Sequence, residues 1–213
     1  MATATRTAHA LLDRHGRTYA DEADIRLRDT PGPLYQLLVL ATLLSARISA
    51  GIAVAAAREL FRAGYRSAAT MRDASWQDRV DTLGRGHYRR YDERTATMLG
   101  RAAEVVLEQW RGDLRRLHAE GGDVDGVSRL LQSVPGIGPT GAAIFCREVQ
   151  GVWPDLAPYV DTRAARGAER LGLPASPTAL ARLVPTEDLP RLVAGCVRAS
   201  LSKDVVEDVQ TGV

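Results

Sequence analysis

Leu130-Leu131-Gln132-Ser133-Val134-Pro135-Gly136-Ile137-Gly138-Pro139-Thr140-Gly141-Ala142-Ala143 is the stretch whose reading decides the fold. Two glycines flank one aliphatic residue, so the chain can reverse sharply and bring its backbone close to a partner. Ile137 can plug the space between the two helices that such a turn joins. Pro139 suits the first turn of the second helix, where its missing N–H costs nothing. The free N–H groups of that turn, around Gly138, Thr140 and Gly141, then point outward together. Such an array binds a phosphate oxygen without reading base sequence. The carbonyls of Gln132, Val134 and Ile137 can hold a monovalent cation, K+ or Na+, that bridges to the same phosphate. An ordinary helical hairpin with a glycine turn uses the same residue types. The apolar pair, the Pro-Gly-aliphatic-Gly turn and the small residues after it favour the phosphate-gripping form, over about residues 127–149.

Composition sets the frame around this motif. The 213 residues suffice for one large domain or two small ones. The formal charge is only +2, so no global basic field exists and any nucleic-acid contact rests on local clusters. Of the 28 basic residues only Lys203 is lysine, a bias read as genome composition. It leaves one side-chain amine for Schiff-base chemistry. The spacing of Cys146 and Cys196 fits no zinc or iron–sulfur pattern. A disulfide between them is open on paper; a reducing compartment is the simpler reading. The first residues carry no secretory pattern, and no run reaches the ~18–20 apolar residues of a membrane span. These features place the chain in the cytoplasm, away from membranes.

Apolar periodicity and breakers predict helices throughout and no strand. Residues 8–28 read as one helix, and Pro31-Gly32-Pro33 as a break. Leu34 to Ala57 is apolar nearly all round and reads as core, with Gly51 separating two helices. Residues 67–83 read as one short capped helix, and Gly84 to Tyr91 as a basic, glycine-flanked loop. A helix from Asp92 to Trp110 places Ala96, Leu99, Ala103, Val106 and Leu107 on one face. Val127–Ser133 and Pro139–Val149 form the hairpin helices. Another helix starts at Asp161-Thr162 and stops near Gly172, and two more span about 176–184 and 187–200.

Four segments together resemble the helix-hairpin-helix DNA glycosylases, the endonuclease III-like superfamily. They are Leu43-Leu44-Ser45-Ala46-Arg47, Gly86-His87-Tyr88, Val134-Pro135-Gly136-Ile137-Gly138 with Ala142, and Val160-Asp161-Thr162-Arg163. The resemblance covers about residues 30–172. It implies an all-α, two-lobed fold with a DNA-binding cleft between the lobes: residues 31–150 in one lobe, 1–30 with 151–213 in the other. A damaged nucleotide would flip from the duplex into that cleft. Asp161 matches the family's carboxylate, which stabilises the oxocarbenium-like sugar or activates water. The same Asp also reads as a helix N-cap, a role compatible with the first. Asp155, in a Pro-rich loop, is a neighbouring acid outside the motif.

Three departures from the family pattern refine what the resemblance implies. Where bifunctional members carry a lysine on the second hairpin helix, this chain has Thr140, which argues against lyase chemistry. Only 52 residues with one cysteine follow Asp161, so no iron–sulfur cluster is expected. Arg47 stands where relatives place a Gln that enters the gap left by a flipped base; it also reads as a helix-end Arg paired with an acid. His87 sits where relatives supply a wedge, and equally reads as an exposed loop residue. Arg85, Arg89, Arg90 and Arg94 can meet phosphates or simply form a solvated face. Trp153, Tyr159 and Phe145 read as core ahead of base pocket. The sequence thus points to a monomeric, monofunctional DNA N-glycosylase acting on lesion-containing double-stranded DNA. A catalytically inactive, structure-specific DNA-binding protein of the same fold is the alternative.

Overall fold

The computed structural model describes residues 2–211. These are helical throughout, with no strand among the described residues. The helices are α1 (Ala2–His15), α2 (Tyr19–Glu22), α3 (Pro31–Leu44), α4 (Ala50–Arg62), α5 (Ala68–Asp73), α6 (Trp76–Arg85) and α7 (Asp92–Trp110). They continue as α8 (Leu114–Gly121), α9 (Val124–Leu131), α10 (Pro139–Val149), α11 (Thr162–Arg170), α12 (Pro177–Ala181), α13 (Leu189–Leu201) and α14 (Lys203–Thr211). Short 3-10 turns lie at Pro154–Leu156 and Thr186–Asp188. No helix among the described residues is long and apolar enough to cross a membrane.

The chain divides into two units, Ala20–Cys146 and a second made of the chain up to Tyr19 with the chain from Arg147 onward. In the Ala20–Cys146 unit, α3 is the central helix, with Leu34, Tyr35, Leu37, Leu38, Val39, Leu40 and Leu43 buried. It packs on α4 and α8, and α7 packs on α5, α6 and α8. A guanidinium is folded into this core: Arg79 donates from Nε to the Ala96 carbonyl and from Nη1 to those of Met71 and Ala74. Burial pushes the Tyr35 phenol well above its ordinary range. In the other unit α13 is central, packing on α1, α11 and α14. The α11–α13 approach is so close that a Cβ on Gly167 would fall 1.7 Å from the Cys196 carbonyl oxygen. Cys146 and Cys196 are buried free thiols, their pKa values pushed by burial to about 12.

Several elements differ from the sequence expectation. The 8–28 helix stops at His15, and the carbonyls of Gly16 and Arg17 are taken by the guanidinium groups of Arg191 and Arg198. Pro31-Gly32-Pro33 opens α3, with proline in the first turn where it fits. Gly51 lies inside the first turn of α4, whose cap is Ser49 accepting the Ile52 N–H. Residues 67–83 hold two helices, because Ser67 and Ser75 each cap one. Asp123 caps α9 three residues earlier than expected. Helices α8 and α14 were not anticipated, and Leu107 is only half-buried.

The division between the units falls at Tyr19/Ala20 and at Cys146/Arg147. Residues 20–30 pack with the helical unit that follows them: Ile25 is buried and Asp24 pairs with Arg58 at 3.1 Å. The last turn of α10 belongs with the other unit, because its buried polar side chains bond to Tyr19, Asp161 and Tyr159.

Candidate nucleic-acid interface

The hairpin is built as its glycines dictate. Gly136 has φ +89°, and a Cβ there would lie 3.2 Å from Thr42 Cγ2 and 3.3 Å from Met98 Cβ. Glycine is therefore required both by the left-handed backbone and by the α3 and α7 side chains against it. Ile137 and Val134 are buried, and Ile137 lies against Gly141, the third residue of α10. The aliphatic residue plugs the turn as its position suggests. Gly138, Pro139 and Thr140 are exposed. First-turn N–H groups have no intrahelical acceptor, so those of Gly138, Thr140 and Gly141 form the free end of the helix dipole. Of the three carbonyls considered for a cation, Val134 accepts the Ile137 N–H at 3.0 Å and keeps its second lone pair. Oxygen donors of this kind suit a hard monovalent cation.

Arg47 is exposed, in the turn between α3 and α4. Ser45, two residues before it, lies 3.7 Å from where a Gly141 Cβ would sit, so this turn neighbours the hairpin. His87 is exposed at φ +62°, in the turn after α6. Gly86 seats that turn directly on α4, where a Cβ would meet the Ala56 backbone at 2.4 Å. The turns bearing Arg47 and His87 and the hairpin thus belong to one unit. Arg85 donates to Thr82 Oγ1 at 2.7 Å and lies 3.8 Å from Glu59, so part of its charge is spent within the protein. Arg89 is exposed, and Arg90 stands over the Tyr91 ring at 5.3 Å.

Asp161 belongs to the other unit. It is the N-cap of α11, with Oδ1 accepting the Ala164 N–H at 2.8 Å. Oδ2 accepts from Nη1 of Arg147 in an ion pair. The two side chains are 12% and 4% exposed, so the acid reaches solvent while its cation does not. The segment leading into Asp161 is also held. Gln150 Nε2 donates to the Tyr159 carbonyl at 3.0 Å and to the Arg147 carbonyl at 2.9 Å, and the Tyr159 N–H donates to Gln150 Oε1 at 2.9 Å. Glu148 accepts the Tyr19 N–H at 3.3 Å.

Arg147, Glu148 and Gln150, each only 3% exposed, escaped the sequence reading. The signal was present: Arg147 and Glu148 in the last turn and Gln150 just past it follow the apolar run Ala142–Cys146, and a helix end that must be buried carries polar groups only where they have partners. Phe145 and Trp153 are fully buried core, while Tyr159 is half-buried. Asp155 is exposed in its 3-10 turn.

No family model and no curated protein matches this chain. Among solved structures, a trapped covalent endonuclease III–DNA intermediate, the estranged-adenine complex, is 19% identical over 91% of this chain and 84% of its own, with TM-score 0.50. A non-covalent endonuclease III–DNA complex is 19% identical over 89% and 84%, with TM-score 0.49. At this identity the likeness is one of fold: the chain folds as an all-helical protein similar to endonuclease III.

Proposed function

We propose that this protein is a monofunctional DNA N-glycosylase that excises a damaged or mismatched base flipped out of duplex DNA, working as a monomer in the nucleoid. The observation that carries the reading is a pairing of features in one chain. A hairpin exposed at Gly138, Pro139 and Thr140 offers backbone donors at the start of a helix, and a carboxylate is fixed at the N-terminus of the next α-helix. The donors suit phosphate; the carboxylate suits a positive sugar. The fold supports this, since a solved structure it is similar to is an endonuclease III–DNA complex.

In this reading the hairpin N–H groups of Gly138, Thr140 and Gly141 hold a phosphate, with K+ or Na+ on the carbonyls of Gln132, Val134 and Ile137 bridging to it. Arg47 and His87 occupy the space the base vacates, and Arg85 and Arg89 meet flanking phosphates. The glycosidic bond breaks with its electron pair leaving on the base. Asp161 stabilises the positive charge that grows on the sugar, and water adds to C1′, losing a proton that neutralises the departed base. Thr140 offers no amine, so no imine forms and the strand stays intact. No iron–sulfur cluster takes part.

The test is release of free base from a panel of lesion duplexes. The wild type releases base, and Asp161→Asn binds the same duplex without releasing it. A variant that cleaves at the wild-type rate would refute the role of Asp161. One observation favours a second reading, a non-enzymatic module for bent, abasic or branched DNA. Both oxygens of Asp161 already accept hydrogen bonds within the protein. Equal affinity for damaged and intact duplex, with no release from any, would select it.

A further inference from the structure

A carboxylate has about four lone-pair sites on its two oxygens. In Asp161 one site on each oxygen is taken, Oδ1 by the Ala164 N–H and Oδ2 by Arg147 Nη1. Bonds to both oxygens from two directions stop the group from turning about its last torsion. One site on each oxygen remains for a substrate. Arg147 can do this because its own place is fixed. It sits in the last turn of α10 with its side chain 4% exposed. Three residues further on, Gln150 ties the same turn to both the N–H and the carbonyl of Tyr159, two residues before the acid. A guanidinium this buried needs a charged acceptor to offset its lost hydration. Its Nε has no hydrogen-bond partner among the described residues, which leaves Asp161 as the acid that holds it. The pair is thus mutual: each group is the other's ion-pair partner.

We propose that Arg147 is the positioning residue of the glycosylase reaction, locking the plane of the Asp161 carboxylate toward the sugar, with Gln150 fixing the segment that delivers it. The inference rests on the glycosylase reading above and assigns Arg147 no contact with substrate. A locked carboxylate acts in the transition state rather than in substrate binding, so its loss should appear in kcat.

The experiment measures single-turnover base release and KM for Arg147→Met and Arg147→Lys on a duplex the wild type cleaves. Each variant is assayed at a temperature where circular dichroism shows it folded. Arg147→Met is expected to lose ~10–100-fold in kcat with KM within about two-fold, the scale of a small misplacement of a reacting group. Arg147→Lys, which keeps the charge and loses the planar fork, should recover part of that loss. Borohydride trapping runs alongside, so that an imine formed by the new amine is not scored as rescue. An unchanged kcat in Arg147→Met, a change confined to KM, or no recovery in Arg147→Lys overturns the proposal while leaving the glycosylase reading intact. No release from any duplex by the wild type removes both together, and is told apart because it appears before any variant is made.

Discussion

Replacing Asp161 by Asn tests the ion pair apart from catalysis. The amide can still accept the Ala164 N–H, and Asn equals Asp as an N-cap, so the cap itself costs little. What changes is the charge facing Arg147, whose side chain is 4% exposed and has Asp161 as its ion-pair partner. Leaving one member of a buried pair without its counter-charge costs about 3–5 kcal/mol. With both side chains well under a third exposed, solvent screening reduces this little. A chain of this size shifts by about 2–4 °C per kcal/mol, so Tm should fall by roughly 6–20 °C. Against a total stability of ~5–15 kcal/mol this is a large fraction, so binding and base release by the variant are read at a temperature where circular dichroism shows it folded. Urea denaturation and calorimetry read the effect. Arg147→Met combined with Asp161→Asn removes the orphaned charge and should regain most of the loss, a coupling of at least about 2 kcal/mol. If Asp161→Asn unfolds within about 0.5 kcal/mol of the wild type, Arg147 is not held by this acid and the reasoning fails.

Three further outcomes are expected. Gly136→Ala forces a left-handed residue against Thr42 and Met98, so it should lose about 1–3 kcal/mol in denaturant unfolding and weaken duplex binding. Arg47→Ala and His87→Ala, both at exposed turns, should weaken binding to a duplex with an unpaired or abasic position more than to an intact one, as read by titration at fixed salt. Asp113 caps α8, and its hydrogen bond to the Arg115 side chain holds its carboxyl below the ordinary value of 3.8. A depressed carboxyl stabilises the fold above that ordinary value and loses the contribution as pH falls through its lower folded one. Asp113→Ala should therefore cost about 1 kcal/mol at neutral pH and nothing once the wild-type acid is protonated, as urea unfolding at several pH values would show.

Much of this was legible in the chain because local chemistry decides it. The ends of α7 and α10 match the sequence expectation: α7 starts on an acidic turn at Asp92-Glu93, and α10 begins on Pro139. Gly136 announced its own left-handed turn, and Asp161 its cap. Other features were hidden because they depend on partners distant in sequence. Arg147 looks like a charge on a helix end until Asp161 is seen to meet it, and Gln150 is unremarkable until the backbone of Tyr159 returns to it. The division of 67–85 into two helices was lost for a different reason. Ser67 and Ser75 both read as surface polar residues, and only the accepted Thr70 and Asp78 N–H groups show that each starts a helix.

The claim at the centre is that Asp161 drives loss of a base while the strand stays whole. Incubating the wild type with a panel of lesion duplexes, then resolving free bases by mass spectrometry and strands on a denaturing gel, addresses it most directly. The account predicts at least one lesion that yields free base, an uncut abasic strand and no borohydride-trapped adduct. Strand scission with a trapped adduct, or silence across the whole panel, would contradict it.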